Sequence, residues 1–356
     1  MSPDLASRPE RPIFLFGCTG SGTALLRSML HAHPRIAIPT ETRFVLPAYT
    51  ARCEFGDLND RENRRALATW LTERPETRFS ELGLDAAEVA AEIAAGPPTL
   101  GSALGIVFRA YARRFGKPRW GDRRPAYAQH VGTLLRMFPD AQFVHLVRDG
   151  RDCVATLQEM PWFEHDVHHA ISVWRETIDT GRRLATRLGP DAYYELQYER
   201  LIADPADELI RLCGFLGEDY DPAMTWTGNT APPVPPQRGS LARAPRDRGL
   251  RERRRAVDGS GPVPSDRVGA WAQRLEPWEI GLAEAAFGER LAEYGYEPSG
   301  LPGPSAAQLA RFTRTSAHRR MAQRKADLRE RWQRRYEPNP VVCLPAAKTS
   351  TPAPIR

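Results

Sequence analysis

Lysine is nearly missing from this chain. Three residues (Lys117, Lys325 and Lys348) stand against 47 arginines in 356 positions. A site that needs a cation must therefore use arginine, whose planar, permanently charged fork suits oxyanions. Long apolar runs are missing too: no stretch approaches the roughly 18 apolar residues of a membrane-spanning helix, and mean hydropathy is −0.49. The opening residues MSPDLASRPERP hold no apolar core of a secretory signal, so a cytoplasmic protein is expected. Cys18, Cys53, Cys153, Cys213 and Cys343 fall in neither disulfide nor metal-ligand spacing, which predicts reduced thiols and no metal site. The cluster His165, His168 and His169 lacks completing ligands, so it is read as facing solvent or substrate.

The net charge of +6 is unevenly placed. Residues 305–356 hold 12 Lys+Arg and 3 Asp+Glu, while the remainder holds 38 and 41. The main body therefore presents no general nucleic-acid surface, and the basic character belongs to the C-terminal part.

Hydrophobic residues make up 41% of the chain, enough for one large domain or two small ones. Apolar runs at 12–17, 35–39, 142–147 and 192–198 read as strands, with a shorter one in PRWGDRRP (118–125). Helical periodicity or capping marks 22–33, 126–138, 165–188, 204–217 and 276–293, and helical spacing recurs through 42–116. Strands alternating with helices predict an α/β fold, a parallel sheet flanked by helices on both faces. Residues 228–264, including RERRR at 251–255, are rich in Pro, Gly and Arg and read as a long loop. A charged helix is expected over 305–336, docking through Trp332 and Tyr336, with a membrane-surface or partner contact as the alternative. The last 20 or so residues are expected to be disordered.

Two places carry chemistry. In GCTGSGTA (17–24), Gly17, Gly20 and Gly22 form a turn between strand and helix. Such a turn aims backbone N–H groups and a helix N-terminus at an anion, and Ser21 and Thr23 add hydroxyls. The frame is that of a nucleotide-triphosphate P-loop, but Thr23 replaces its lysine and Ala24 its Mg²⁺-binding hydroxyl, which counts against a Mg-dependent kinase or ATPase. The second place is HLVRDGRDCVATL. Arg148 ends a buried strand, where open α/β sheets bind ligands, and Thr156 follows two helical turns later. Together they suit a second phosphate, or Arg148 makes a structural salt bridge to Asp149 or Asp152.

These two sites, in this order, resemble the sulfotransferases that use 3′-phosphoadenosine-5′-phosphosulfate (PAPS), the motif pattern being most similar to tyrosylprotein sulfotransferases and related bacterial enzymes. TGSGTA (19–24) is similar to the family's 5′-phosphosulfate loop. His33-Pro34, Glu41-Thr42-Arg43, VRDGRD and YERLIADP stand in register with the rest. The resemblance implies a P-loop-like sulfotransferase fold over 12–300, after a flexible 1–11. Residues 50–116 would form a helical insertion on the acceptor side, and 301–356 a basic helix and tail. It implies Glu41 as the base that deprotonates the acceptor and Arg123 as the group steadying the leaving phosphate. Thr19, Gly20, Ser21, Gly22, Thr23, Ala24, Arg27, Arg148, Thr156 and Tyr198 would hold the nucleotide, and Thr42 and Arg43 would meet the acceptor. PAPS would be the co-substrate, no metal being required, and the acceptor a hydroxyl of a small molecule, sugar or tyrosine-like phenol. From position alone, Glu41 reads first as a first-turn carboxylate of a helix capped by Thr40, a role compatible with that of a base.

Two cations of the family pattern are absent: Gly20 stands where it has Lys or Arg, and Ala270 where it has lysine before Trp271. Arg27, Arg123, Arg124 and Arg267 are the candidate replacements. The rival expectations are a nucleotide-binding protein of the same fold without turnover, a P-loop small-molecule kinase, and a DNA- or membrane-associating module acting through the tail.

Overall fold

The computed structural model describes residues 11–225 and 267–344. The expected long loop 228–264 with RERRR lies outside them. Five strands, β1 (Ile13–Gly17), β2 (Ile36–Ala37), β3 (Arg119–Arg123), β4 (Gln142–Val147) and β5 (Tyr193–Gln197), form one parallel sheet in the order β2-β3-β1-β4-β5. β1 is central and apolar on both faces. Phe14 and Phe16 pack on one side with Phe108, Phe138 and Phe143. Ile13 and Leu15 pack on the other with Leu26, Leu30 and Leu209. That two-sided burial explains why this strand reads as an unbroken apolar run.

The helices are α1 (Thr23–Ala32), α2 (Val45–Thr50), α3 (Arg61–Glu73), α4 (Ala86–Ala95), α5 (Leu100–Arg114), α6 (Tyr127–Met137), α7 (Gly150–Gln158), α8 (Val167–Leu188), α9 (Tyr198–Ala203), α10 (Pro205–Leu216), α11 (Trp271–Arg274), α12 (Pro277–Phe287), α13 (Glu289–Glu293) and α14 (Ala306–Gln333). Helices α1, α9 and α10 cover one face of the sheet, and α5 and α6 the other. A third core joins α7, α8, α12 and α14 around Trp174 and Phe287. The single helix expected at 276–293 is broken at Gly288, whose φ of 55° is open to glycine at little cost.

The C-terminal part differs from expectation. Helix α14 packs through Phe312 and Ser316, not through Trp332 and Tyr336, which are 60% and 63% exposed. Apart from Phe312 its inward face is small or polar, so apolar periodicity did not reveal it. Ser316 Oγ meets Ser172 Oγ at 2.8 Å, and Arg319 forks onto Glu176. Residues 337–344 are a strap, not the start of a disordered tail. Glu337 pairs with Arg52 and Arg136. Asn339 accepts from Leu58 N–H and donates to Gly56 O. Gly101 N–H donates to Val341 O at 2.9 Å.

Candidate active site

The loop 18–22 leaves the C-terminal end of β1 and turns directly into α1. Gly20 and Gly22 hold φ of 89° and 92°, left-handed values that cost L-residues about 1–2 kcal/mol. Space reinforces the choice. A Cβ on Gly22 would lie 2.4 Å from the Tyr198 ring, and one on Gly20 2.9 Å from Thr156 Cβ. Helix α1 has no side-chain cap and no acid in its first turn, so its N–H groups and positive dipole end are left for an anion. Helix α7, by contrast, is capped by Asp149.

Arg148 stands beside this loop. Its Nη1 donates to Gly20 O at 2.7 Å, its Nη2 pairs with Asp152 at 3.2 Å, and its guanidinium lies over the Tyr198 ring at 4.6 Å. Trp174 Nε1 donates to Arg148 O at 2.9 Å and fixes the backbone. The expected salt bridge of Arg148 is thus made to Asp152, and the same guanidinium reaches the loop, while Asp149 pairs with Arg151. Ser21 Oγ and Thr156 Oγ1 are buried and have no hydrogen-bond partner among the described residues. Thus Thr19 to Ala24, Arg148, Thr156 and Tyr198 converge as expected.

The segment carrying Ala270 is tied to the same corner. Gly269 and Trp271 N–H groups donate to the two oxygens of Asp152 at 3.0 and 2.9 Å. Arg148 Nη2 donates to Arg267 O at 2.5 Å. Burial pushes the Tyr198 phenol up against the pull of Arg148 and Arg267, so the Arg267 charge lies at this corner although Ala270 brings none. Arg27 Nη2 donates to Ser28 Oγ at 2.9 Å. Its charge, after burial and Lys117, helps hold His31 down at about 3.

A second group forms at the end of β3. Glu41 lies in a loop before α2, not in a helix capped by Thr40. Arg43 Nε donates to its Oε1 and Arg78 Nη1 to its Oε2, both at 3.0 Å. Arg123 joins the two groups: Nη1 is 3.4 Å from Thr23 Oγ1 at the start of α1, and Nη2 donates to Thr40 O at 3.0 Å. Thr42, expected to meet the acceptor, is instead buried and donates to Asp122 Oδ2 at 2.6 Å. Tyr127 donates to the same oxygen. Burial raises the Asp122 carboxyl, opposed by these hydrogen bonds. The Thr42–Asp122 bond clamps the loop of Glu41 to the strand of Arg123, since each partner adjoins one of those residues.

Arg78, Asp122 and Tyr127 were missed from sequence. Arg78 sits in the helical insertion with no motif around it. Asp122 did carry a signal, because a carboxylate inside a buried strand requires partners. His165 and His169 stack at 3.9 Å, and His169 meets Arg319. Among the described residues no group of three or more candidate ligands gathers for a metal.

Comparison with known proteins agrees with this geometry. A family model described as the Sulfotransferase family matches residues 12–222. Protein-tyrosine sulfotransferase 2 of Gallus gallus is 23% identical over 297 residues, covering 82% of this chain and 70% of that protein. Omega-hydroxy-beta-dihydromenaquinone-9 sulfotransferase Stf3 of Mycobacterium tuberculosis is 31% identical over 110 residues, 27% and 28% of the two chains. The sulfotransferase domain of the Synechococcus PCC 7002 olefin synthase superposes with a TM-score of 0.52 at 22% identity. It covers 85% of this chain and 99% of that one, a likeness of fold.

Proposed function

Since this chain belongs to the sulfotransferase family, we propose that it moves the sulfuryl group of PAPS to a hydroxyl of a small-molecule, sugar or tyrosine-like acceptor, with Glu41 as base. The observation that carries the nucleotide assignment is the pair of buried hydroxyls without partners, Ser21 Oγ and Thr156 Oγ1. Buried polar groups are nearly always hydrogen-bonded. Two orphans flanking Gly20, beside an uncapped helix N-terminus and a buried arginine, fit a ligand rich in acceptor oxygens.

When bound, PAPS supplies an activated sulfuryl group on a phosphate leaving group. The N–H groups of residues 19–24 with Ser21 and Thr23 would grip the 5′-phosphosulfate, and Arg148, Thr156 and Tyr198 the 3′-phosphate. Arg123 is placed to offset charge that develops beside Thr23, a stabilisation gained in the transition state. Glu41 takes the acceptor's hydroxyl proton onto a carboxylate oxygen. Each of its oxygens accepts from one arginine and keeps a second lone pair for the acceptor's hydroxyl.

The test is a PAPS-dependent sulfation screen over phenols, sugars and lipid alcohols with intact-mass readout, run beside Glu41→Gln. We expect Glu41→Gln to bind adenosine 3′,5′-bisphosphate like the wild type and to lose about 10²- to 10⁴-fold in turnover. Unchanged turnover would overturn the base assignment. Nucleotide binding without sulfation of any acceptor would favour a binding protein of the same fold, a reading kept open by the cations missing at Gly20 and Ala270.

A further inference from the structure

Helix α14 is held to the body along one face and bare along the other. The inward face is fixed by Phe312, which is 3% exposed, by Ser316 on Ser172, by Arg319 on Glu176 and by Glu330 on Arg52. At about 100° per residue, Met321, Leu328 and Trp332 fall within about 20° of the direction opposite Phe312. They are 60%, 64% and 60% exposed. Tyr336 continues the stripe past the helix end, its ring 4.9 Å from that of Trp332.

The same helical count places exposed Arg324 and Arg331 to one side of the stripe and exposed Lys325 to the other. None of the three has an ion pair among the described residues, where the neighbouring Arg311, Arg319 and Arg334 are all paired. The two acids of the helix leave this face net positive. Glu330 is turned inward to Arg52 and Tyr49, and Asp327 accepts from Gln323 at the helix flank.

We propose that this outward face docks on an anionic lipid surface. Exposed Leu, Met and Trp flanked by Arg and Lys along a helix lying flat on the body is the pattern of an interfacial helix. Its apolar side chains enter the headgroup region and its cations meet lipid phosphates. Paired Trp and Tyr are suited to that depth. The net positive charge of the face suits anionic headgroups and disfavours a second copy of the same face. Docking would need no rearrangement, because the inward contacts already hold the helix in place.

The experiment is co-sedimentation of the full chain with phosphatidylcholine vesicles, with and without phosphatidylglycerol, beside the variant Met321→Ser/Leu328→Ser/Trp332→Ser. Its changes are at exposed positions on the face turned away from the body, so folding and turnover on a soluble acceptor should be kept. We expect association with the anionic vesicles that is weakened by salt, and is roughly tenfold or more weaker on phosphatidylcholine alone and in the variant. Three results would overturn the proposal. One is no association with anionic vesicles. Another is equal association by the variant, with circular dichroism confirming its fold. The third is a concentration-dependent dimer that the variant abolishes, which would make a second copy the occupant.

Discussion

Arg78 Nη1 lies 3.0 Å from Glu41 Oε2, and Arg78 is the one non-glycine residue with positive φ among the described residues, at 56°. A strained backbone thus delivers a guanidinium to the proposed base. Such strain costs on the order of 1–3 kcal/mol and persists where the surroundings enforce it. Arg78→Gly relieves the strain while removing the charge. We expect the variant to be as stable as the wild type or more so, with unchanged nucleotide affinity and a kcat lower by roughly tenfold through loss of base positioning. Steady-state kinetics beside thermal melting checks this; an unaltered kcat would remove Arg78 from the site.

The Thr42–Asp122 hydrogen bond makes a pH-dependent prediction. Burial raises the Asp122 carboxyl above its usual range. A raised carboxyl contributes stability at low pH that is lost as pH climbs through its folded value. Thr42→Val removes a donor that favours the charged form. Its destabilisation, about 1–3 kcal/mol for a stripped buried carboxylate, should therefore be larger at pH 8 than at pH 5. Melting curves at the two pH values decide; an equal loss at both would show that Asp122 does not ionise across that range.

Thr156→Val separates ligand binding from stability. The hydroxyl it removes is buried without a partner, so the folded chain should lose no stability and may be compared directly with wild type in melting experiments. Affinity for adenosine 3′,5′-bisphosphate should fall about tenfold, the worth of one hydrogen bond to a charged group. Calorimetric titration reads the second number, and wild-type affinity would remove Thr156 from the 3′-phosphate site.

Restoring a cation at position 20 should fail. Gly20→Lys places a side chain at φ 89° with its Cβ against Thr156. A loss of about 1–2 kcal/mol in stability and weaker nucleotide binding are expected. Tighter binding by this variant would mean that the loop can relax.

Acid should release the strap. Burial works against the charge on Glu337, but hydrogen bonds from Arg136 and Arg52 hold its carboxyl below the usual range. A depressed carboxyl contributes stability at neutral pH that disappears as pH falls through its folded value. Protection from hydrogen exchange in residues 337–344, taken relative to the intrinsic rate at each pH, should thus fall below about pH 4, before protection in β1 and β4 does. Simultaneous loss would show that the strap does not open separately.

The sheet was legible because its strands are short, apolar and bounded by turns, and Ile13–Gly17 and Gln142–Val147 were placed to within a residue. The meeting of the 19–24 loop with Arg148, Thr156 and Tyr198 was legible because these residues lie in compact motifs at strand ends. Arg78 was not, since its relation to Glu41 spans 37 positions and depends on one left-handed residue. Thr42 was assigned to the acceptor because adjacency to Glu41 says nothing of side-chain direction, which Asp122 sets. The docking face of α14 was inverted because exposed Trp and Tyr are the strongest apolar signal in that helix, and its real contacts, Phe312 apart, are charged or small.

The strap gives the two halves of the molecule different dependence on the rest of the chain. The proposed nucleotide corner draws on residues 17–24, 123, 148–156 and 198, with residues 267–271 tied on through Arg148 and Asp152. The helices around the proposed acceptor side are fastened by Asn339 to Leu58, 281 positions apart, and by Val341 to Gly101. During synthesis the cofactor half has its strands in hand well before the acceptor half receives its last backbone partner. A fragment ending at residue 222, where the family match stops, would retain the sheet and leave the Gly101 amide and the Leu58 amide without the groups that satisfy them.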